Sequence, residues 1–356
     1  MKIIHIIESS GGSADFVLYL IKYLPAHDHT VIYGERTFGN RFSEVKNANS
    51  SVDFLFWNHV QREVKIYKDF KAAISLYRLL KKVESNAIHL HSSKAGFLGR
   101  VVCFFMGKKN VIYTPNGLAF ARKDVGKFTI EVYIILEKFA NYLNGRVIGC
   151  SKSEAQEMIN RGITATYISN GTEIFDYQNN GDLKYGNLII ATTGRVTIQK
   201  NPILFNRIAS NFNDIDGVKF VWIGGGELEY CLTSKNIEVT GWVNRERVIN
   251  ELAKANLYLS TALWEGLPFA VLEAMNLGKP LLLSDCVGNV DLVENGYNGY
   301  LYSSEHEAID KIKLIISDLT KTKLFGRASN DLVRKSFNVE DMARKYEQAY
   351  SDSKYI

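Results

Sequence analysis

Short apolar runs alternate with amphipathic segments along nearly the whole chain. In the first half, strand-like runs fall at 2–7, 29–33, 52–56, 87–91, 110–114 and 146–150. Helical periodicity appears between them at 67–83, 94–106 and 127–143. The pattern lapses at Asn170-Gly171-Thr172-Glu173 and Tyr177-Gln178-Asn179-Asn180-Gly181-Asp182, which are turn formers without hydrophobic period. It resumes with strands at 188–192, 218–223, 237–240, 257–260 and 280–283, and closes with helical segments near 305–317, 320–335 and 339–351. Apolar strands that alternate with helices predict parallel sheets covered on both faces. The expected fold is therefore α/β, with two Rossmann-like domains facing across a cleft and ligands at the carboxyl ends of the strands. The expected divisions are 1–170 for an N-terminal domain, 171–186 for a linker, 187–338 for a C-terminal domain and 339–356 for a last helix.

Size agrees with two domains, because 356 residues exceed the roughly 250–300 at which single cores stop growing. With 46% hydrophobic and 23% charged residues, the composition excludes fibrous and disordered classes. No apolar run is long enough for a spanning helix, and Lys2–Glu8 reads as a strand rather than a signal peptide. Cys103, Cys150, Cys231 and Cys286 are scattered in apolar contexts, so buried thiols in a reducing compartment are expected rather than a metal or disulfide framework. The expected location is the cytoplasm. Residues 1–176 carry 23 Lys and Arg against 16 Asp and Glu, and the remainder carries 20 against 22. A basic first half suits phosphate or anionic headgroups; without a nucleic-acid motif, no nucleic-acid partner is expected. Arg100–Lys109 and the aromatic segment Phe128–Tyr142 are candidates for contact with an anionic membrane on its cytoplasmic face, although core burial is the expected fate of most of these aromatics.

The chemistry concentrates at strand ends. Glu265 and Glu273 bracket Gly266-Leu267-Pro268-Phe269, where a strand leads into a helix that Pro268 would open. Two carboxylates that accept hydroxyl hydrogens, with amides at a helix N-terminus between them, suit a nucleotide sugar. The alternative is a carboxylate that complements the helix dipole and another that faces solvent. Gly194-Arg195 through Lys200-Asn201-Pro202 places two cations between a strand and a helix that Asn201 can cap, an arrangement that grips phosphate. Gly11-Gly12 and Gly224-Gly225-Gly226 are strand-to-helix turns where backbone can approach a ligand closely or merely turn sharply. The Gly241-Trp242 turn could meet a nucleobase or bury its indole. His89 and His91 share a strand face, yet no carboxylate or cysteine stands at ligand spacing, so no metal is expected. His91, Ser92, Lys94 and Asn116 end neighbouring strands, where a substrate would touch them.

This ordered set resembles the family 4 retaining glycosyltransferases of the GT-B fold, which include enzymes of bacterial cell-surface polysaccharide synthesis. The likeness extends over nearly the whole chain, and the specific parts are Glu265 through Glu273 and Ala274-Met275 through Gly278-Lys279-Pro280. It implies a metal-independent hexosyltransferase without cofactor that moves a sugar from a nucleotide diphosphate-sugar, UDP favoured, to a glycan or lipid-linked saccharide. It also implies roles: Glu273 on the ribose, Glu265 and the amides around Gly266–Phe269 on the sugar and distal phosphate, with Leu267 and Pro268 shaping that donor-binding turn, and Arg195 and Lys200 on the diphosphate. Gly11, Gly12, Asn116, Gly225 and Gly241 complete the donor side, and His91, Ser92 and Lys94 the acceptor side. The last helix would return to the N-terminal domain. Many relatives carry histidine where this chain has Asn116, so donor contact is expected to differ there. A nucleotide-sugar 2-epimerase and a non-catalytic nucleotide-sugar-binding scaffold are the alternatives.

Overall fold

The computed structural model describes residues 1–8, 11–34, 52–61, 63–175 and 188–352. Two compact units emerge. The first comprises residues up to Ala121, Val125–Asn170 and the chain from Val339 onward; the second comprises Arg122–Asp124 and Gly171–Asn338. Most of the expected linker, from 176 to 186, lies outside the described residues.

The first unit holds a parallel sheet of β1 (Lys2–Ile7), β2 (Asp28–Tyr33), β3 (Val52–Phe56), β4 (Ala87–His91), β5 (Val111–Thr114), β6 (Arg146–Gly149) and β7 (Ala165–Tyr167). Their order is β3-β2-β1-β4-β5-β6-β7. Helices α1 (Gly12–Tyr23), α2 (Ile66–Leu80), α3 (Ser93–Phe105), α4 (Lys127–Leu143) and α5 (Lys152–Asn160) connect the strands. The second unit repeats this winding with β8 (Leu188–Thr193), β9 (Val218–Ile223), β10 (Ile237–Val239), β11 (Leu257–Ser260), β12 (Leu281–Ser284) and β13 (Gly299–Tyr302), ordered β10-β9-β8-β11-β12-β13. Its helices are α6 (Pro202–Ser210), α7 (Arg245–Lys254), α8 (Phe269–Asn276), α9 (Glu305–Ser317) and α10 (Leu319–Ser336); α11 (Val339–Tyr350) belongs to the first unit. Strand order reverses direction between β1 and β4 and again between β8 and β11. At such switch points, the loops diverge and leave a crevice at the carboxyl ends of the strands.

Three expectations need correction. Pro268 precedes α8 as its cap, and Phe269 is the first helical residue. Cys231 and Cys286 are only half-buried, although all four thiols are free. The aromatics of α4 are not mainly core, because Phe128, Phe139 and Tyr142 are exposed while Ile134, Glu137 and Ala140 are buried.

Strand alternation turns Ile4, Ile6, Ile88 and Leu90 into one core layer and His5, His89 and His91 to the opposite face. There they form a buried array. His29 Nε2 donates to the Leu24 carbonyl at 3.0 Å, so its Nδ1 accepts from His5 Nε2 at 3.1 Å. His5 Nδ1 then accepts from His91 Nε2 at 3.1 Å. His89 lies between the Tyr350 hydroxyl of α11, at 2.7 Å, and Thr114 Oγ1, at 2.8 Å. Ligand atoms of His5, His89 and His91 fall within 4.8 Å of one another, but both nitrogens of His5 and of His89 are taken up in this hydrogen-bonded chain.

Burial pushes the pKa of His5, His89 and His91 well below the ordinary histidine value and also lowers that of His29. The unfolded chain takes up protons below about pH 6.5 that the folded chain refuses, so stability is complete above that pH and declines as pH falls toward the folded values. Between pH 7 and 5.5 the unfolding free energy is expected to fall by on the order of 1 kcal/mol for each histidine held neutral. Urea denaturation at the two pH values measures this, and His91→Gln should flatten the dependence. An equal loss in that variant would remove His91 from the account.

Candidate functional site

The second unit brings its cations and carboxylates together at its switch point. β8 and β11 are paired, so the loops that leave them run side by side. After β8 the chain passes Gly194 and Arg195, makes a short turn at Ile198–Lys200, and enters α6. Asn201 caps α6 by accepting from the Leu204 amide, and Pro202 occupies the first turn. After β11, Thr261 Oγ1 donates to the Lys200 carbonyl at 2.7 Å, and the Leu263 amide donates to the Gln199 carbonyl at 2.8 Å. Gln199 Nε2 donates to the Trp264 carbonyl at 2.9 Å. These bonds set Lys200 Nζ 2.6 Å from Glu265 Oε1, in a pair whose side chains are 20% and 8% exposed. Burial alone would lower the Lys200 pKa, but Glu265, Tyr258 and Cys286 outweigh it and the net shift is upward. Lys200 therefore stays an ammonium. Burial pushes the Cys286 thiol up to about 12, which leaves it protonated and inert.

The glycine turns are demanded by neighbouring loops. A Cβ on Gly224 would stand 2.3 Å from the Gly194 carbonyl oxygen, and one on Gly226 would stand 2.5 Å from that of Val196. The triple glycine thus lets the β8 and β9 loops lie against each other, and Trp222 Nε1 fastens them by donating to the Gly194 carbonyl at 2.9 Å. Gly225 differs, because a Cβ there would meet the Trp242 indole at 3.0 Å. Gly241 has a positive φ of 66°, and Trp242 beyond it is 70% exposed, which overturns the buried-indole alternative. Gly288, at φ 85°, crosses so closely that a Cβ would lie 2.3 Å from the Gly266 carbonyl, so it holds the turn beneath Glu265.

Gly266, Leu267 and Pro268 are buried and Phe269 is half-buried. Glu273 is the fifth residue of α8, and its Oε1 lies 3.4 Å from Arg245 Nη2 at the first position of α7. Glu273 is thus neither solvated nor unaccompanied. Arg195 is exposed.

In the first unit, Gly11 at φ 78° precedes α1 with open space where a Cβ would be. Ser92 ends β4 at φ 74° and donates to the buried Glu8 Oε1 at 2.8 Å. Asn116 follows β5 at φ 53°, and both its side-chain polar atoms are buried without a partner among the described residues. Backbone strain at two non-glycine strand ends fits a functional edge. Glu154 supports it: its Oε1 accepts from the Gly117 amide at 2.7 Å and its Oε2 from the Cys150 amide at 2.6 Å. His91 is fully buried in the histidine array, and Lys94 Nζ is engaged by Asp69 Oδ1 at 2.7 Å and the Glu63 carbonyl at 2.9 Å.

Sequence reasoning missed Gln199, Arg245, Gly288 and Glu154. Only Glu154 left a signal, the Ser151-x-x-Glu154 capping pattern.

Residues 10–174 match the family described as Glycosyltransferase Family 4, and residues 173–332 match Glycosyl transferases group 1. The chain is 32% identical over 334 residues to an Escherichia coli enzyme, UDP-Gal:alpha-D-GlcNAc-diphosphoundecaprenol alpha-1,3-galactosyltransferase, with 85% of each chain covered. It is 23% identical to the capsular polysaccharide biosynthesis glycosyltransferase CapM of Staphylococcus aureus, over 82% of this chain and 83% of that one. The solved structure of Anabaena Alr3699/HepE in complex with UDP and glucose superposes with a TM-score of 0.78 over 99% of both chains at 18% identity, a likeness that bears on the fold. The chain belongs to the family 4 glycosyltransferases and has their GT-B fold.

Proposed function

We propose that this glycosyltransferase moves a hexosyl group from a UDP-sugar to a hydroxyl of a lipid-linked saccharide in cell-envelope polysaccharide synthesis, with retention of anomeric configuration. The observation that carries the reading is the Lys200–Glu265 pair at the β8/β11 switch point, with the exposed Arg195 on the same loop after β8. A fixed ammonium and an exposed guanidinium there offer positive charge where a diphosphate leaving group gains negative charge, the place where catalysis profits most. In this reading they fill the role of a divalent metal. Glu265 orients the transferred sugar through its hydroxyls, and its ion pair fixes the carboxylate in place. The bond from anomeric carbon to phosphate oxygen breaks, the acceptor oxygen bonds to that carbon, and the departing phosphate takes the acceptor's proton. The Escherichia coli relative supports both the UDP donor and the diphosphate-lipid acceptor.

Glu273 takes the ribose hydroxyls, with Arg245 holding its carboxylate, and the exposed Trp242 over Gly225 offers a flat surface for the base. Gly11, Gly12 and Asn116 serve the donor and Ser92 the acceptor. The buried position of His91 and the ion pair of Lys94 make these two positioning residues rather than contacts. Calorimetry against UDP-, GDP- and ADP-sugars tests the donor, and product analysis with donor alone separates transfer from epimerisation. Glu273→Ala is expected to weaken binding of free UDP more than Glu265→Ala does, by on the order of 10- to 100-fold if a charge-assisted hydrogen bond worth about 1.5–3 kcal/mol is lost. The reverse order would overturn the two roles.

A further inference from the structure

We propose that Glu154 is a positioning residue of the transfer reaction, holding the turn after β5 so that the Asn116 amide meets a hydroxyl of the donor sugar. The inference rests on the donor role given to Asn116 in the proposed function. Glu154 is fully buried at the third position of α5, and its amide donates to Oγ of the capping Ser151 at 3.0 Å. A helix cap asks a glutamate at this position only for bonds to the helix's own end. Oε2 makes such a bond, accepting from the Cys150 amide at 2.6 Å. Oε1 goes elsewhere and accepts from the Gly117 amide at 2.7 Å. Because β5 and β6 are paired, one carboxylate fastens the loops that leave both strands.

The turn held in this way has positive φ at two successive residues, 53° at Asn116 and 109° at Gly117. Asparagine and glycine take such angles at least cost. The Gly117 amide belongs to the peptide that joins them, so fixing that peptide fixes the direction of the Asn116 side chain. A second observation points to a ligand there. Nδ2 and Oδ1 of Asn116 are both buried without a hydrogen-bond partner among the described residues. Buried polar groups are costly to leave unpaired, and a ligand that pairs both atoms removes that cost. An amide offers donors on one atom and an acceptor on the other. A hydroxyl answers both, accepting from Nδ2 and donating to Oδ1, whereas an ionised phosphate or carboxylate can only accept. The turn is therefore prepared for a sugar hydroxyl.

The test pairs calorimetric titration with UDP-galactose and with free UDP, on the full chain, with hydrogen exchange of the peptide spanning residues 112–120. E154A should speed exchange in that peptide and weaken UDP-galactose binding roughly three- to tenfold, the worth of one neutral hydrogen bond, with affinity for free UDP unchanged. N116A should weaken UDP-galactose binding equally without the faster exchange. N116A/E154A should bind no more weakly than either single variant, because both changes act on one contact. S151A is the control for a merely structural role: it uncaps α5 and lowers Tm, but should leave UDP-galactose affinity as in the wild type. E154Q, which keeps the side-chain shape and gives up one acceptor atom, repeats the comparison where E154A does not fold. Additive losses in the double variant, an equal loss in S151A, or unchanged exchange at 112–120 in every Glu154 variant that folds would overturn the proposal. A wild type that binds neither UDP nor UDP-galactose would instead strike the donor reading, and the exchange comparison would still decide whether Glu154 sets the turn.

Discussion

Lys200→Met is expected to lower kcat/KM for glycosyl transfer by on the order of 10²–10³, the usual cost of losing one preorganised contact to developing charge. The side chain keeps its length and apolar stem and loses only the ammonium. Lys200 Nζ is also the cation that faces Glu265 at 2.6 Å, so the single variant leaves a carboxylate that is only 8% exposed without its charge partner. Stability should fall with activity, and the rate loss alone would be ambiguous. The double variant Lys200→Met/Glu265→Gln, compared with Glu265→Gln alone as the reference for the sugar contact that this change removes, separates the two effects. Removing both charges should return most of the lost stability, because a paired group is costly mainly when one partner is removed. Transfer should stay low, because the positive charge that faces the diphosphate is still missing. Steady-state kinetics with a soluble acceptor, beside thermal unfolding, makes the comparison. If activity returned together with stability in the double variant, Lys200 would be a structural ion-pair partner and the catalytic charge would lie elsewhere.

Which loops carry chemistry was legible from local pattern, but which loops meet was not. Short apolar runs located β1 and β9 to the residue, and turn glycines marked the loops after them. The Lys200–Glu265 contact depends on β8 lying beside β11, a crossover over two intervening strands that no local pattern encodes. Arg245 is similarly hidden, because its partner Glu273 lies on another helix. β7 and β13 were missed for local reasons. β7 has three residues, two of them exposed, and β13 opens on Gly299 behind the turn-forming Asn-Gly-Tyr-Asn run. The histidines illustrate a different limit. Alternation correctly put His89 and His91 on one face, but only the arrival of α11 decides that this face is sealed by Tyr346 and Tyr350 instead of lining a site.

The largest stability effect is expected from Glu137→Ala. Arg100 on α3 is fully buried, and its Nη2 donates to Glu137 Oε2 of α4. The same carboxylate accepts from the Tyr113 hydroxyl at 3.0 Å, Arg100 Nε donates to the Gly96 carbonyl at 2.9 Å, and the guanidinium lies 4.3 Å from the Tyr113 ring centre. One carboxylate therefore neutralises a cation, satisfies a buried hydroxyl and joins two helices to a strand. Removing it leaves a buried guanidinium, with its charge and N–H donors, facing a void. The expected cost is about 3–5 kcal/mol. Glu137→Gln should cost less, because the amide oxygen still accepts one hydrogen bond. The stress is local, so hydrogen exchange measured by peptide should speed up by on the order of 10²–10³ in α3, α4 and β5. Peptides of β8 and β11 in the second unit should keep their rates. If both units were loosened equally, their stabilities would be coupled. If exchange in α3 and α4 were unchanged, Arg100 would be finding another anion or water, and this buried pair would not be what ties the two helices to the sheet.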